Sequence, residues 1–138
     1  MKLITIMKQE HRACGSSYAV FAAVVGAPLG ISAFAALNKP SFLKAVFICL
    51  AALCFAFLWL SRFRLVITPE AVSYSSFFAP ERTIQRADIA AAGFAARTGG
   101  FESPFTFVIR SGSGSEIRIN AKVFSRATVS ELCTLQKT

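Results

Sequence analysis

Two uncharged or nearly uncharged apolar runs, separated by four residues, constrain this chain more than any other feature. Residues 17–37 (SYAVFAAVVGAPLGISAFAAL) carry no charge. At about 1.5 Å per residue they reach about 31 Å, enough to cross a hydrocarbon core of about 30 Å. Residues 42–60 (FLKAVFICLAALCFAFLWL) reach about 28 Å by the same arithmetic. The NKPS between them is too short for anything except an antiparallel turn. Asn38 suits the end of the first helix and Pro40 the beginning of the second. Lys44 stands near the beginning of the second span and can snorkel to headgroups, while Trp59 stands near its end, where an indole favours the interface. The sequence therefore predicts a transmembrane α-hairpin.

Composition agrees. Hydrophobic residues make up 54% of the 138 residues and charged residues only 16%, against about 25% in soluble domains. The formal net charge of +8 divides evenly between residues 1–61 and 62–138. No dense basic run gathers on one element, which argues against a nucleic-acid partner and for an anionic membrane surface. Lys2, Lys8 and Arg12 precede the first span and Arg62 and Arg64 follow the second. Only Lys39 and Lys44 belong to the connecting end. The positive-inside rule then places both termini in the cytoplasm. The apolar stretch between Lys2 and Lys8 is too short for a signal-peptide core, so the first span is expected to be retained as an anchor.

Inside the first span, Gly26 and Gly30 form a G-x-x-x-G stripe that Ala22 extends by a turn. Small residues at this spacing let helix backbones approach closely. Two uses are open: packing against the second span near Ala52 and Ala56, or pairing with another copy. Pro28 beside the stripe is tolerable in lipid if neighbouring groups satisfy the freed carbonyl. Neither span has an ionisable group near its centre, which argues against a pump or transporter acting alone.

From Phe63 onward the period changes to two. Phe63, Leu65 and Ile67 alternate with Arg64, Val66 and Thr68, and Arg62 and Arg64 are expected on one side of a strand at the headgroups. TPEA (68–71) reads as a turn, VSYSSFF (72–78) as a second strand through Val72, Tyr74, Ser76 and Phe78, and APER (79–82) as the next turn. TIQRADIAAAGFAAR reads as two strands with a kink near Asp88 or as a short alanine-rich helix, with Gly93 and Phe94 favouring strands. RTGGFESP (97–104) reads as a loop whose Phe101 meets lipid or a neighbouring span if the arginines dock the domain. FTFVIR and EIRIN flank SGSGS as a hairpin. The final segment is a helix with Ser125 or Thr128 as its cap and an inward stripe through Phe124, Thr128, Leu132 and Leu135. The expected core is Ile67, Tyr74, Ile84, Ile89, Phe107, Ile109, Ile117, Ile119 and Leu132.

The combination of two spans, RLVITPEAVSY, TIQRADIAAAGF, FVIRSGSGSEIRI and a last helix resembles bacterial pleckstrin-homology-like (PH-like) membrane proteins, from about residue 17 to 136. Gln85, Arg86 and Ala87 stand where similar proteins place an aromatic before the aspartate. The resemblance implies a seven-stranded, partly open all-β barrel capped by a C-terminal helix, and no agreed activity. Lipid-binding members of the wider fold use basic residues in the first strand–turn–strand. TPEA has Glu70 there instead, so no specific phosphoinositide is implied.

The expected organisation is therefore a cytoplasmic segment 1–16, a hairpin 17–61 and a PH-like β-domain 62–138. No cofactor or metal is expected. His11 is the single histidine, and Cys14, Cys49, Cys54 and Cys133 lack metal-knuckle spacing. QEHRAC is not a lipoprotein cleavage context. Asp88, Glu102 and Glu116 fall in separate elements, which gives no poised catalytic pair. The expected function is a non-catalytic scaffold or interaction domain held on the inner membrane, binding the bilayer, a second copy or another membrane protein. The alternative is an accessory subunit of a transport or secretion complex. Arg62, Arg64, Trp59 and Lys44 are its candidate interface residues, and Gly26 and Gly30 its candidate helix-packing residues.

Overall fold

The computed structural model describes residues 8–95 and 105–135. A strand β1 (Gln9–Arg12) leads directly into α1 (Gly15–Asn38). A single 3-10 turn, Pro40–Phe42, connects it to α2 (Leu43–Ser61). Both helices are long and apolar enough to cross a membrane. Pro28 lies inside α1 without ending it. After α2 come β2 (Arg64–Ile67), β3 (Ala71–Ser75), β4 (Arg82–Gln85), β5 (Ile89–Phe94), β6 (Thr106–Ser111), β7 (Glu116–Asn120) and α3 (Arg126–Thr134).

The described strands form two open antiparallel sheets, β1-β2-β3-β4 and β5-β6-β7, rather than one partly open barrel, and no closed barrel forms among the described residues. A 3-10 turn at Arg86–Asp88 separates β4 from β5, at the expected kink. It carries the chain from one sheet to the other, and Asp88 there accepts the Gly112 N–H at 2.8 Å. The TPEA turn is closed by Thr68, whose N–H bonds the Ala71 carbonyl at 2.9 Å and whose hydroxyl accepts the Ala71 N–H at 2.9 Å. In the β6–β7 hairpin the positive φ of Gly114 is a conformation that favours glycine.

Inward alternation is clean on β6 and β7. Phe107, Ile109, Ile117 and Ile119 are buried while Arg110 and Arg118 are exposed. Of the nine expected core residues, eight are buried, and Ile89 packs half-buried against them. Leu132 and Leu135 of the last turns close the core. Ser125 caps α3, with its Oγ accepting the Thr128 N–H.

Two local readings change. The strand through VSYSSFF stops at Ser75, and the turn runs through Ser76–Ala79, where Ser76 N–H bonds the Ala79 carbonyl. Phe78 therefore leaves the inward series and points outward. Arg62 is the helical C-cap of α2, and β2 begins at Arg64, so the two arginines do not share a strand face. Loop 97–104 and Phe101 lie outside the described residues.

Candidate functional site

The feature that organises the molecule is the junction between hairpin and sheets. β1 pairs antiparallel with β2 over Gln9↔Ile67 to Arg12↔Arg64. The entire hairpin is thus an insertion between two neighbouring strands, and both of its ends return to the same sheet. Residues 9–12, which the sequence reading left in a separate N-terminal segment, are an edge strand of the β-domain. A helix pair that leaves and re-enters one sheet must have both ends on one side of any bilayer it crosses.

Aromatic rings run through this junction in sequence. Phe21 of α1 meets Trp59 of α2 edge-on at 5.7 Å, and Trp59 meets Phe63 at 5.0 Å. Phe63 lies 6.5 Å from Tyr74 on β3, and Tyr74 lies 6.4 Å from Phe124 before α3. Edge-to-face pairs at these separations are favourable beyond their area. Leu60, only 1% exposed, belongs to the same core cluster as Ile109 and Leu132. At the other helix end the Cys14 N–H bonds the Val123 carbonyl at 2.8 Å, and the Ser17 hydroxyl donates to it at 3.2 Å. The last turn of α2 and the first turn of α1 are therefore built into the β-domain core. Trp59 is accordingly half-buried between rings, with its indole N–H shielded and without a partner. Beside it lies a cavity of about 360 Å³ lined by Ser16, Ser17, Phe21, Trp59, Asn120 and Lys122 among others.

The arginines have distinct surroundings. Arg12 and Arg64 face each other directly across β1 and β2, a like-charge pair that would be unfavourable alone. Glu10 offsets it. Its carboxylate lies 3.0 Å from Arg12 Nη2 and accepts from Arg64 Nη2 at 3.2 Å. The hydrogen bond from Arg64, then that from Arg12, holds the Glu10 carboxyl below its usual value. Arg62 is exposed at the end of α2, and Lys44 is exposed at its opposite end. Trp59, Arg62 and Arg64 thus belong to the junction end of α2 and the start of β2, and Lys44 to the opposite end of α2.

A second group ties β1 to α3. His11 Nδ1 lies 3.1 Å from the Thr128 hydroxyl, and Nε2 lies 3.0 Å from Glu131 Oε2. With its amide nitrogen turned to that carboxylate, Gln9 donates at 2.8 Å. A hydroxyl, an imidazole and a carboxylate in this order invite comparison with a nucleophile–base–acid set. Thr128 is buried, and its hydroxyl also meets Ser125 at 2.9 Å. The group acts as a clasp across the edge of the sheet.

Gly30 is exposed and Gly26 half-buried. A methyl group built at either would meet nothing within 4 Å. The helices meet elsewhere, for example at Tyr18 and Phe57, whose rings lie 5.4 Å apart. Ala56 is buried, whereas Ala52 is exposed.

The turn Ser76–Ala79 was not singled out by sequence reading. Its Phe77 ring lies edge-on to Phe55 of α2 at 5.7 Å and to Phe78 at 5.1 Å. The signal available in the sequence was a pair of adjacent phenylalanines before Pro80.

Comparisons with known protein families, with curated proteins and with solved structures find no match to this chain.

Proposed function

We propose that this chain is a non-catalytic, membrane-anchored interaction module of a bacterial inner membrane, in which a hairpin holds a PH-like β-domain in a fixed pose on the cytoplasmic face. The observation that carries the reading is the shared core: Leu60 and Phe63 pack among the residues of both sheets. A flexible tether would let the domain reach partners at varying heights and angles. A junction without free linker residues holds it at one height and one angle, which suits a platform for a second copy or a neighbouring membrane protein. The division into four strands and three strands with a C-terminal helix supports the PH-like assignment. The excess of positive charge at the junction end supports the cytoplasmic orientation.

Fusion of a reporter after Thr138 tests the pose. A reporter that works only in the cytoplasm is expected to be active, and activity of an export-dependent reporter would overturn the orientation. Purification in mild detergent then separates scaffold from subunit: a homo-oligomer supports the scaffold. A stoichiometric larger membrane partner supports the second reading, an accessory subunit of a transport or secretion complex. The open space beside Gly26 and Gly30 favours that second reading, because a foreign helix could pack there.

A further inference from the structure

We propose that the β3–β4 turn is a membrane-inserting wedge, with Phe77 and Phe78 seated in the acyl-chain region of the leaflet beside α2. The inference rests on the hairpin's being the membrane anchor and adds a second, independent point of entry into the same leaflet.

The geometry points to depth. Phe55 lies six residues before the end of α2 at Ser61, which is about 9 Å along the helix axis. The Phe77 ring packs edge-on against Phe55. A β-domain turn therefore descends along the outside of a spanning helix to a level well below its end. If α2 crosses a bilayer, Phe77 enters with it. Phe78 follows on the same turn, touches Phe77 and is 78% exposed, largely unshielded by the described residues. Two adjacent phenylalanines left outside a core are costly in water and favourable in lipid. Interfacial segments commonly bury their apolar faces about 5–10 Å into the headgroup and acyl boundary, a depth that matches this turn. The chemistry around it fits. Ser76–Ala79 carry no charge, and charges resume only after Pro80, at Glu81 and Arg82. The backbone of the turn is partly closed on itself by the Ser76 to Ala79 hydrogen bond, which lowers the cost of lowering it into an apolar medium.

The occupant of this surface is lipid. The turn lies beside a helix whose Phe47 and Ile48 are each 69% exposed and whose Phe55 is covered only in part, by Phe77. A protein partner docking on Phe78 would have to approach from within the bilayer.

The test places an indole at the tip. Phe78→Trp is made in a Trp59→Phe background, which leaves that indole as the single one, and the full chain is reconstituted into phosphatidylcholine–phosphatidylglycerol vesicles. Quenching by lipids brominated at shallow acyl positions is compared with quenching by aqueous iodide. The wedge predicts a blue-shifted emission, quenching by bromolipid of twofold or more, and near-silence to iodide. Emission of a hydrated indole, open to iodide and indifferent to bromolipid, overturns it. If Trp59→Phe disturbs the junction, Phe78→Trp in the parent chain is read as the difference spectrum against the parent, with the same two outcomes. Alkaline extraction of the same vesicles keeps the two claims apart. A chain that stays embedded while its Phe78→Trp indole is hydrated refutes the wedge and leaves the anchor intact, whereas a chain that washes off refutes the anchor.

Discussion

The two ends of the hairpin have nearly the same composition and opposite surroundings. Near the junction, Leu60 and Ala56 are buried and Phe21 and Trp59 are packed against the core. Toward the far turn, Ile31, Phe34 and Leu37 are 72–82% exposed, with little among the described residues to cover them. Hydrophobicity alone does not distinguish these fates. The inner turns are apolar as part of a protein core, while the outer turns have the length and apolarity to take lipid as their solvent. The difference teaches that this anchor is also a structural element of the domain it carries.

Substitutions can break the comparison, and the largest effect is expected at its buried end. Leu60→Asp places an unpaired carboxylate in the core and is expected to cost several kcal/mol, enough to unfold the β-domain, read as loss of the β signal in circular dichroism. Ile109→Asp in β6 should do the same, although it lies on the opposite sheet, while Arg118→Ala on the exposed face should leave the fold intact. Equal tolerance of Ile109→Asp and Arg118→Ala would show the strand phase to be wrong.

Truncation sharpens the contrast. Leu60→Ala should cost about 2–5 kcal/mol in detergent unfolding. Phe34→Ala, a larger deletion from an equally apolar helix, should cost about 0.5 kcal/mol or less, because the side chain is 72% exposed. Similar losses at both positions would mean that the outer turns are also packed, for instance in an oligomer.

A smaller effect is expected from acid. The folded Glu10 carboxyl is held below its usual value by Arg64 and Arg12. Its contribution is therefore complete above the unfolded value of about 4.3 and is lost as pH falls through the folded value. Glu116, held down by Arg118 and Arg110, acts in the same direction. Glu10→Gln should flatten the stability profile below about pH 4.3 relative to the parent, while Glu116 still adds slope of the same sign. An unchanged profile would mean that the β1–β2 charge bridge does not form. The smallest intramolecular effect is expected at Gly30→Ala, where a methyl group meets open space. A change in oligomer size on sizing the detergent complex would assign the glycine stripe to contacts between chains.

Much of this fold was legible in the sequence for physical reasons. Span length and missing charge report the lipid path, and period-two alternation reported β6 and β7 because one face of each is fully buried. The edge strand was not legible. Gln9–Arg12 has no apolar residue, and its partners, Arg64, Thr128 and Glu131, are brought to it only by the fold. Trp59 and Arg62 stand at the end of α2 and Arg64 at the start of β2, and alternation could not reveal that Arg62 ends a helix. Nor could it reveal that Phe78 leaves the strand series, since VSYSSFF keeps its period past the point where the chain turns. Closure of the sheets depends on how β4 and β5 separate at Arg86–Asp88, and alternation does not encode it.

The central claim is that hairpin end and β-domain are one cooperative unit, and Trp59, the single tryptophan, stands at their junction. The direct measurement is equilibrium unfolding in mild detergent, following Trp59 fluorescence and the far-ultraviolet β signal in the same samples. One shared core predicts coincident transitions, with the indole environment changing at the midpoint of sheet loss. A β-domain that melts while Trp59 emission stays constant would contradict the account and make the hairpin a mere tether.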